Sequence, residues 1–474
     1  MKLPFSALTS LRLPLLARHR TAFKTNSANA WMIFLAIGIG ALTGLVGGAF
    51  RLLLVELGDL RDVFFNNPKI LGSYGLFAGI GIAALSIFIG LTAVRKLAKE
   101  AGGSGIQEIE GGLDGLRPFR WKRVIPVKFF ASLFTIGPGL LLGREGPTVQ
   151  LGANIGKMVK DIFRQPEQQN NPLVSTGAAA GLAAAFDAPL AGMLFVIEEM
   201  EGHFRFNFLS LSCVMLGSAV ATIVVSMITH TRVVIPMAVY DMPSFESMWI
   251  FLIFGLCVGV LGLVFNTLLL FVLDLFARLN LPPIFLSFML ACIVVLIGSQ
   301  HIEMVGADFG MIGQIFSGDN TITSLLILFG VRMMLGIICY GTGVPGGIFA
   351  PMIILGITFG MAFGIAVQEF LPGLHMLRPE IFALVGMGSF FSAAVRAPLT
   401  GVLLVVEMTS NYELVLPLVL AASAAAVLTS FLGNKPIYAS LLGRTLAAAK
   451  EEKKKELLKK KRQSEGAEGE AMAE

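Results

Sequence analysis

Charge is what this chain lacks most. Asp, Glu, Lys and Arg together make up 14% of its 474 residues, against about 25% in a soluble domain, and its mean hydropathy is +0.78. So few charges cannot cover a water-facing globule, which excludes a soluble protein and implies an all-α polytopic membrane protein. Apolar stretches long enough to cross a bilayer, about 20 residues, run over 31–54, 74–94, 208–228, 248–275 and 414–432. Other apolar stretches are shorter or are cut by Gly and Pro, so the number of spans stays open.

Reactive side chains are scarce too. The four cysteines, Cys213, Cys257, Cys292 and Cys339, lie in apolar segments without CxxC spacing, which gives neither a disulfide framework nor a zinc site. HExxH and GxxxxGK[ST] are both missing, which removes zinc-protease and P-loop readings. Gly102-Gly103-Ser104-Gly105 fits the short GxSG pattern of intramembrane serine proteases, but that chemistry needs a histidine base. His19, His203, His230, His301 and His375 all fall at segment ends or in loops, none inside an apolar helix. The chain therefore reads as a non-enzyme, with no metal or cofactor expected. No short apolar region with a small-residue cleavage site precedes the first span, so no removable signal peptide is expected.

The charges that are present gather at the ends. Lys2, Arg12, Arg18, Arg20 and Lys24 precede the first span, and Arg444, Lys450 and the basic run 453–462 follow the last, for a net charge of +5. The positive-inside tendency puts both termini in the cytoplasm. Membrane orientation accounts for these residues without a nucleic-acid partner. The tail mixes Lys with Glu before turning to Gly, Ala and Glu, as in a solvated helix end.

Between the ends lies an internal repeat. The run from Gly177 through Phe186, Asp187, Ala188, Pro189 and Gly192 to Glu198 matches the run from Gly386 through Val395, Arg396, Ala397, Pro398 and Gly401 to Glu407, 209 positions on. Upstream, Gly143 to Gly152 matches Gly347 to Gly356 at a shift of 204, with Pro147 opposite Pro351. Each proline suits the first turn of a helix, where a missing N–H costs nothing. With both termini on one side, halves that each cross an odd number of times are inverted, and inverted repeats with broken helices meeting near the midplane form a transporter architecture. The expected organisation is a basic segment 1–28, a transmembrane transport domain 29–449 and a charged tail 450–474. Within the domain the repeat halves cover about 29–232 and 233–435, followed by a C-terminal helix 436–449.

Three glycine-rich breaks interrupt the apolar body: 102–105, 143–147 and 343–349. Non-helical backbone at membrane depth must be buried in protein or face a water-filled cavity. Glycine lets a ligand approach backbone N–H groups closely, although in membrane helices it also simply permits close packing. Gly143-Arg144-Glu145-Gly146-Pro147 sets an acid beside a helix start, where negative charge is favoured; a site shaped for a carboxylate there suits an inorganic anion. Glu145 matches Phe349 across the repeat, so one half alone carries an acid, as a gate on one side of a shared site would. A buried ion pair with Arg144 is the other reading. Glu198, Glu199 and Glu201 close an apolar helix. Glu198 has a repeat partner in Glu407, which makes that pair structural, whereas Glu199 matches Met408 and is either functional or an ordinary interfacial acid.

These motifs resemble the CLC family of chloride channels and proton/chloride exchangers. The resemblance rests on GSGI at 103–106, GREGPTVQ at 143–150, GGIFAP at 346–351, the helix end Ile197-Glu198-Glu199-Met200 and the late stretch 433–438, and covers about 29–449. It implies that Ser104, Ile348, Phe349 and Tyr438 surround a central chloride, with hydroxyls from Ser104 and Tyr438, backbone N–H groups from Ile348 and Phe349, and Gly146 among the chloride-binding residues. It makes Glu145 the external gating acid and Glu199 the internal proton-transfer acid. It further implies a homodimer with one pathway per subunit in a bacterial inner membrane, with chloride and protons as substrates rather than cofactors. Serine at 104 favours chloride over nitrate or fluoride. An acid at 199 favours exchange over the alternative, a passive chloride-selective channel on the same fold. One residue departs from the family pattern: Gln107 stands where GSGIP has its proline.

Overall fold

The computed structural model describes residues 6–451 and 454, except 68–73, 167–171, 201–206, 231–234, 236, 307–308, 319, 372, 374–376 and 452–453, with residues 6–28, 66 and 317 described by backbone alone. Glu201, His203, His375 and the tail beyond Lys454 thus lie outside the described residues.

Among the described residues there are seventeen α-helices and no strand. In chain order they are α1 (Ser6–Asn66), α2 (Gly75–Leu97), α3 (Ile106–Leu113), α4 (Trp121–Ile136), α5 (Glu145–Ile162), α6 (Pro172–Phe186), α7 (Pro189–Glu199) and α8 (Phe208–Thr229). Next come α9 (Met248–Leu279), α10 (Pro283–Gly298), α11 (Gly310–Ser317), α12 (Ile322–Gly341), α13 (Phe349–Phe370), α14 (Pro379–Val395), α15 (Pro398–Thr409) and α16 (Val415–Phe431). A last helix, α17, covers 437–451. The basic leader is helical from Ser6 and runs into the first span without a break.

Seven stretches are long and apolar enough to cross a membrane: Asn29–Phe65, Gly75–Leu97, Phe208–Thr229, Phe245–Leu279, Ile322–Gly341, Phe349–Phe370 and Tyr412–Phe431. Five correspond to the stretches read from sequence. The other two were masked there, by Arg332 inside α12 and by Pro351 with its neighbouring glycines in α13. Arg332 is buried, and its guanidinium donates to the carbonyls of Glu303 (2.6 Å) and Gly306 (2.7 Å). Its charge thus serves a loop within the protein rather than facing lipid.

The helices fall into two matching series, with α1–α8 corresponding in order to α9–α16. Even the short α3 and α11 match, each eight residues long. The prolines lie where expected. Pro189 and Pro398 open α7 and α15, and Pro147 and Pro351 sit in the first turns of α5 and α13.

Packing repeats as well. A Cβ added to Gly152 would strike the carbonyl of Gly177, and one added to Gly356 would strike that of Gly386. These close approaches press α5 onto α6 and α13 onto α14. From Leu173 to Phe186 and from Ile381 to Val395, α6 and α14 are buried on every side, as helices apolar all round must be. The outer helices leave Phe77, Ile82, Phe271 and Ile284 each more than 60% exposed, apolar surface that suits lipid.

The two series are inverted. Gly143 and Gly347, equivalent in the repeat, form an antiparallel bridge with two 2.7 Å backbone hydrogen bonds, each N–H donating to the other's carbonyl. An antiparallel pair of equivalent residues lies on a two-fold axis. This is the inverted repeat with broken helices expected from sequence, and the axis passes between the N-termini of α5 and α13.

Candidate functional site

The three glycine breaks converge. The Gly143–Gly347 bridge ties the second to the third. The first joins through Gly103, whose N–H donates to Val344 O (3.2 Å) and whose carbonyl accepts from Gly346 N–H (3.0 Å). Gly103 has φ +58° and Gly105 φ +88°, left-handed values that glycine adopts without strain. The Thr135 hydroxyl donates to Pro345 O at 2.6 Å and pins the third break to α4.

Around this knot the structure gathers six of the residues read from sequence. Glu145, at the first position of α5, is 1% exposed. Its Oε2 accepts from the backbone N–H of Ala350 at 3.3 Å. The carboxylate therefore lies across the axis, in the first turn of α13, where N–H groups have no intrahelical acceptor. Ile348 and Phe349 open the same turn and are fully buried. Gly146 lies against Ser104: a Cβ at Gly146 would come within 2.5 Å of the Ser104 hydroxyl oxygen. Tyr438, at the start of α17, sets its ring 6.3 Å from that of Phe349, stacked at 26°.

Ser104 and Tyr438 are each 0% exposed; their hydroxyls approach one another, and neither meets any other hydrogen-bond partner. Most buried polar groups in proteins are satisfied, so two hydroxyls with no partner beyond each other leave hydrogen-bonding capacity at this place. Both can donate hydrogen bonds and both sit beside a helix N-terminus, an arrangement able to accommodate an anion.

The seventh residue, Glu199, stands apart at the end of α7. Its carboxyl meets that of Glu110 on α3, and Glu110 is 2% exposed. Two carboxyls facing each other at a buried position disfavour simultaneous ionisation. The Tyr438 hydroxyl lies within electrostatic range of both Glu145 and Glu199.

Sequence reading passed over two groups that shape this site. One is Glu110. The other is Lys128 on α4, which is 0% exposed and donates to the carbonyls of Ala101 (3.0 Å) and Gly103 (2.6 Å). It holds the backbone on the N-terminal side of Ser104. A lone lysine within the apolar run 124–134 was the available signal, since an ionisable residue at membrane depth is a functional candidate by default.

Two cavities approach the centre. One of about 320 Å³ is lined by Arg51, Arg61, Leu142, Arg144, Glu145 and Phe309. The other, about 360 Å³, reaches Gly102, Gly103, Gln107 and Tyr340 beside α17. Among the described residues no group of three or more His, Cys, Asp or Glu side chains could hold a metal ion. All four cysteines are free thiols.

An inverted helical repeat whose broken helices meet at a buried polar centre, approached by two cavities, is the architecture of a membrane transport protein. The family model for the voltage gated chloride channel matches residues 85–430, and the chain belongs to that family, the CLC proteins. It is 42% identical over 422 residues to the H(+)/Cl(−) exchange transporter ClcA of Vibrio campbellii, covering 88% of this chain and 90% of that protein. To the ClcA of Salmonella schwarzengrund it is 42% identical over 426 residues, covering 88% and 89%. Among solved structures, a slow cyanobacterial Cl−/H+ antiporter superposes with a TM-score of 0.83 at 34% identity, over 88% of this chain and 98% of that one. A eukaryotic CLC transporter shares the fold, with a TM-score of 0.73 at 22% identity, over 87% of this chain and 73% of that one.

Proposed function

We propose that this protein exchanges chloride for protons across the membrane, with Glu145 as a gate that competes with chloride. The observation that carries this reading is the Glu145 carboxylate on the Ala350 N–H, beside two buried hydroxyls, Ser104 and Tyr438, with no partner beyond each other. Ionised Glu145 fills the outer anion position at the N-terminus of α13. Protonation makes it neutral, its attraction to the amide falls, and it leaves. Chloride then takes that position, with Ser104 and Tyr438 donating hydroxyls and Ile348 and Phe349 donating backbone N–H groups. Gly146 lets the α5 backbone come close to Ser104. Such partial charges bind an anion firmly enough to select it and weakly enough to release it.

The proton continues to Glu199. Its contact with Glu110 supports that role, because a pair that disfavours double ionisation retains a proton. The names of the 42%-identical relatives, which are H(+)/Cl(−) exchange transporters, support exchange over a passive channel.

The transport domain spans 29–449, and both termini face the cytoplasm of a bacterial inner membrane, as the end-loaded basic charge favours. Leu190 and Leu399 are 46% and 53% exposed beside the α7–α15 contact. A second copy covering that face fits the homodimer implied by the resemblance.

Purified protein in liposomes tests the reading. Under an imposed chloride gradient an exchanger drives protons uphill. Chloride flux without proton movement would overturn exchange and leave the passive channel.

A further inference from the structure

Ser104 is held by its main chain as well as its side chain. Its backbone N–H donates to the hydroxyl oxygen of Tyr340 at 3.4 Å. Tyr340 is the last residue but one of α12 and is 2% exposed. The turn after it fixes its place: Gly343 N–H donates to the Tyr340 carbonyl at 3.0 Å, and the third break begins. A Cβ on Gly103 would come within 3.2 Å of the same hydroxyl, so the oxygen lies against the backbone of Gly103 and Ser104. It is also within electrostatic range of the Tyr438 hydroxyl. Tyr340 lines the 360 Å³ cavity beside α17, and thus borders the centre on one side and that cavity on the other.

Tyr340 breaks the symmetry of the repeat as Glu145 does. Its equivalent, 204 positions earlier, is Ile136, which ends α4 and lines the opposite cavity. One half therefore supplies an oxygen on the Glu145 side of the centre, and the other half supplies one on the α17 side. Each accepts from a backbone N–H of the opposite half: Glu145 from Ala350, Tyr340 from Ser104. The two oxygens differ in charge. A carboxylate must be protonated before it yields its place, whereas a neutral hydroxyl gives way to an anion directly. At 3.4 Å its bond to Ser104 is long, and such bonds are given up readily.

We propose that the Tyr340 hydroxyl is a second, neutral competitor for chloride, which takes back the Ser104 N–H as the anion leaves and so weakens the hold of the centre. The inference rests on the reading that chloride passes Ser104. A buried N–H without an acceptor is costly. With Tyr340 in reach, the departure of chloride leaves no orphan donor behind, and release costs less.

Tyr340→Phe removes the oxygen and keeps the ring. A 4-fluorophenylalanine at position 340, introduced by nonsense suppression, keeps the bulk as well, with a fluorine that scarcely accepts hydrogen bonds. Full-length wild type and both variants are purified in detergent for calorimetric titration with chloride, and reconstituted in liposomes for flux. Thermal unfolding identifies the folded material. Without the competitor, chloride is expected to bind about fivefold more tightly in both variants, the factor that one neutral hydrogen bond carries. The half-saturating chloride concentration for flux is expected to fall with it. Unchanged affinity in the folded variants would make the contact a packing bond, and weaker binding would make the hydroxyl a donor to chloride; either result overturns this inference alone. Wild type that neither binds nor moves chloride would overturn the transport reading beneath it.

Discussion

Glu198 and Glu407 exchange places to cap each other's repeat. Glu198, near the end of α7, accepts from the backbone N–H groups of Leu399 (3.0 Å) and Thr400 (2.6 Å) at the start of α15, and from the Thr400 hydroxyl (2.7 Å). Glu407, near the end of α15, accepts from Leu190 (3.0 Å) and Ala191 (2.8 Å) at the start of α7. Each helix starts with proline and has no side-chain cap of its own. The acid that satisfies its orphan N–H groups comes from the opposite half.

We predict that Glu407→Ala lowers stability by about 2 kcal/mol. It removes two charge-assisted hydrogen bonds, discounted because the pair is only part-buried. Glu198→Ala, which loses a third bond, costs more. Thermal unfolding in detergent checks this, with coupled flux retained in the folded fraction. An unchanged melting temperature in both variants would mean that the exchanged caps contribute nothing.

For Glu145→Ala we predict continued chloride flux without proton movement. The sign of the pH dependence follows from the gate. In wild type a proton is needed to clear the outer position, so flux rises as pH falls. Without the carboxylate nothing waits for the proton, and the profile is flat. Liposome flux across a pH series decides it, and a slope like that of wild type would remove Glu145 from the gate.

Glu199→Gln is expected to pass chloride while losing proton transport, because the amide cannot accept and release a proton. Simultaneous recording of both ions in one liposome preparation checks it. Proton transport at the wild-type rate would leave Glu199 as an interfacial acid held by Glu110.

Replacing Lys128 with Met keeps its length and removes the donor. The carbonyls of Ala101 and Gly103 then lie buried without a partner, at a cost of about 1–3 kcal/mol each. We predict a lower melting temperature together with weaker chloride binding by titration calorimetry, since the loop carrying Ser104 loosens. Lower stability with unchanged chloride affinity would make Lys128 a purely structural residue.

Where the fold was legible in the sequence, glycine and proline made it so. Pro147, Pro189, Pro351 and Pro398 mark helix starts because only there does proline cost nothing, and they gave the repeat its register. Spans escaped where a charge or a proline broke the apolar run, as Arg332 and Pro351 did; Arg332 is satisfied by loop carbonyls visible only in three dimensions, and Pro351 sits in a helix's first turn, where it breaks nothing. Glu145 and Ser104 stood out because their local motifs are unusual. Glu110 lies in ordinary local sequence and Lys128 is marked only by being the one charge in its apolar run; the role of each comes from what the fold brings to it, the Glu199 carboxyl in one case and two loop carbonyls in the other.

The bridge between Gly143 and Gly347 is made only of main chain. No side chain takes part, so substitutions elsewhere in either half leave the joint intact so long as both glycines persist. The two halves of a duplicated chain can then drift apart in sequence, one acquiring Glu145 and the other Phe349, while remaining hinged at the same point. The fold thereby separates the inheritance of its shape from that of its chemistry.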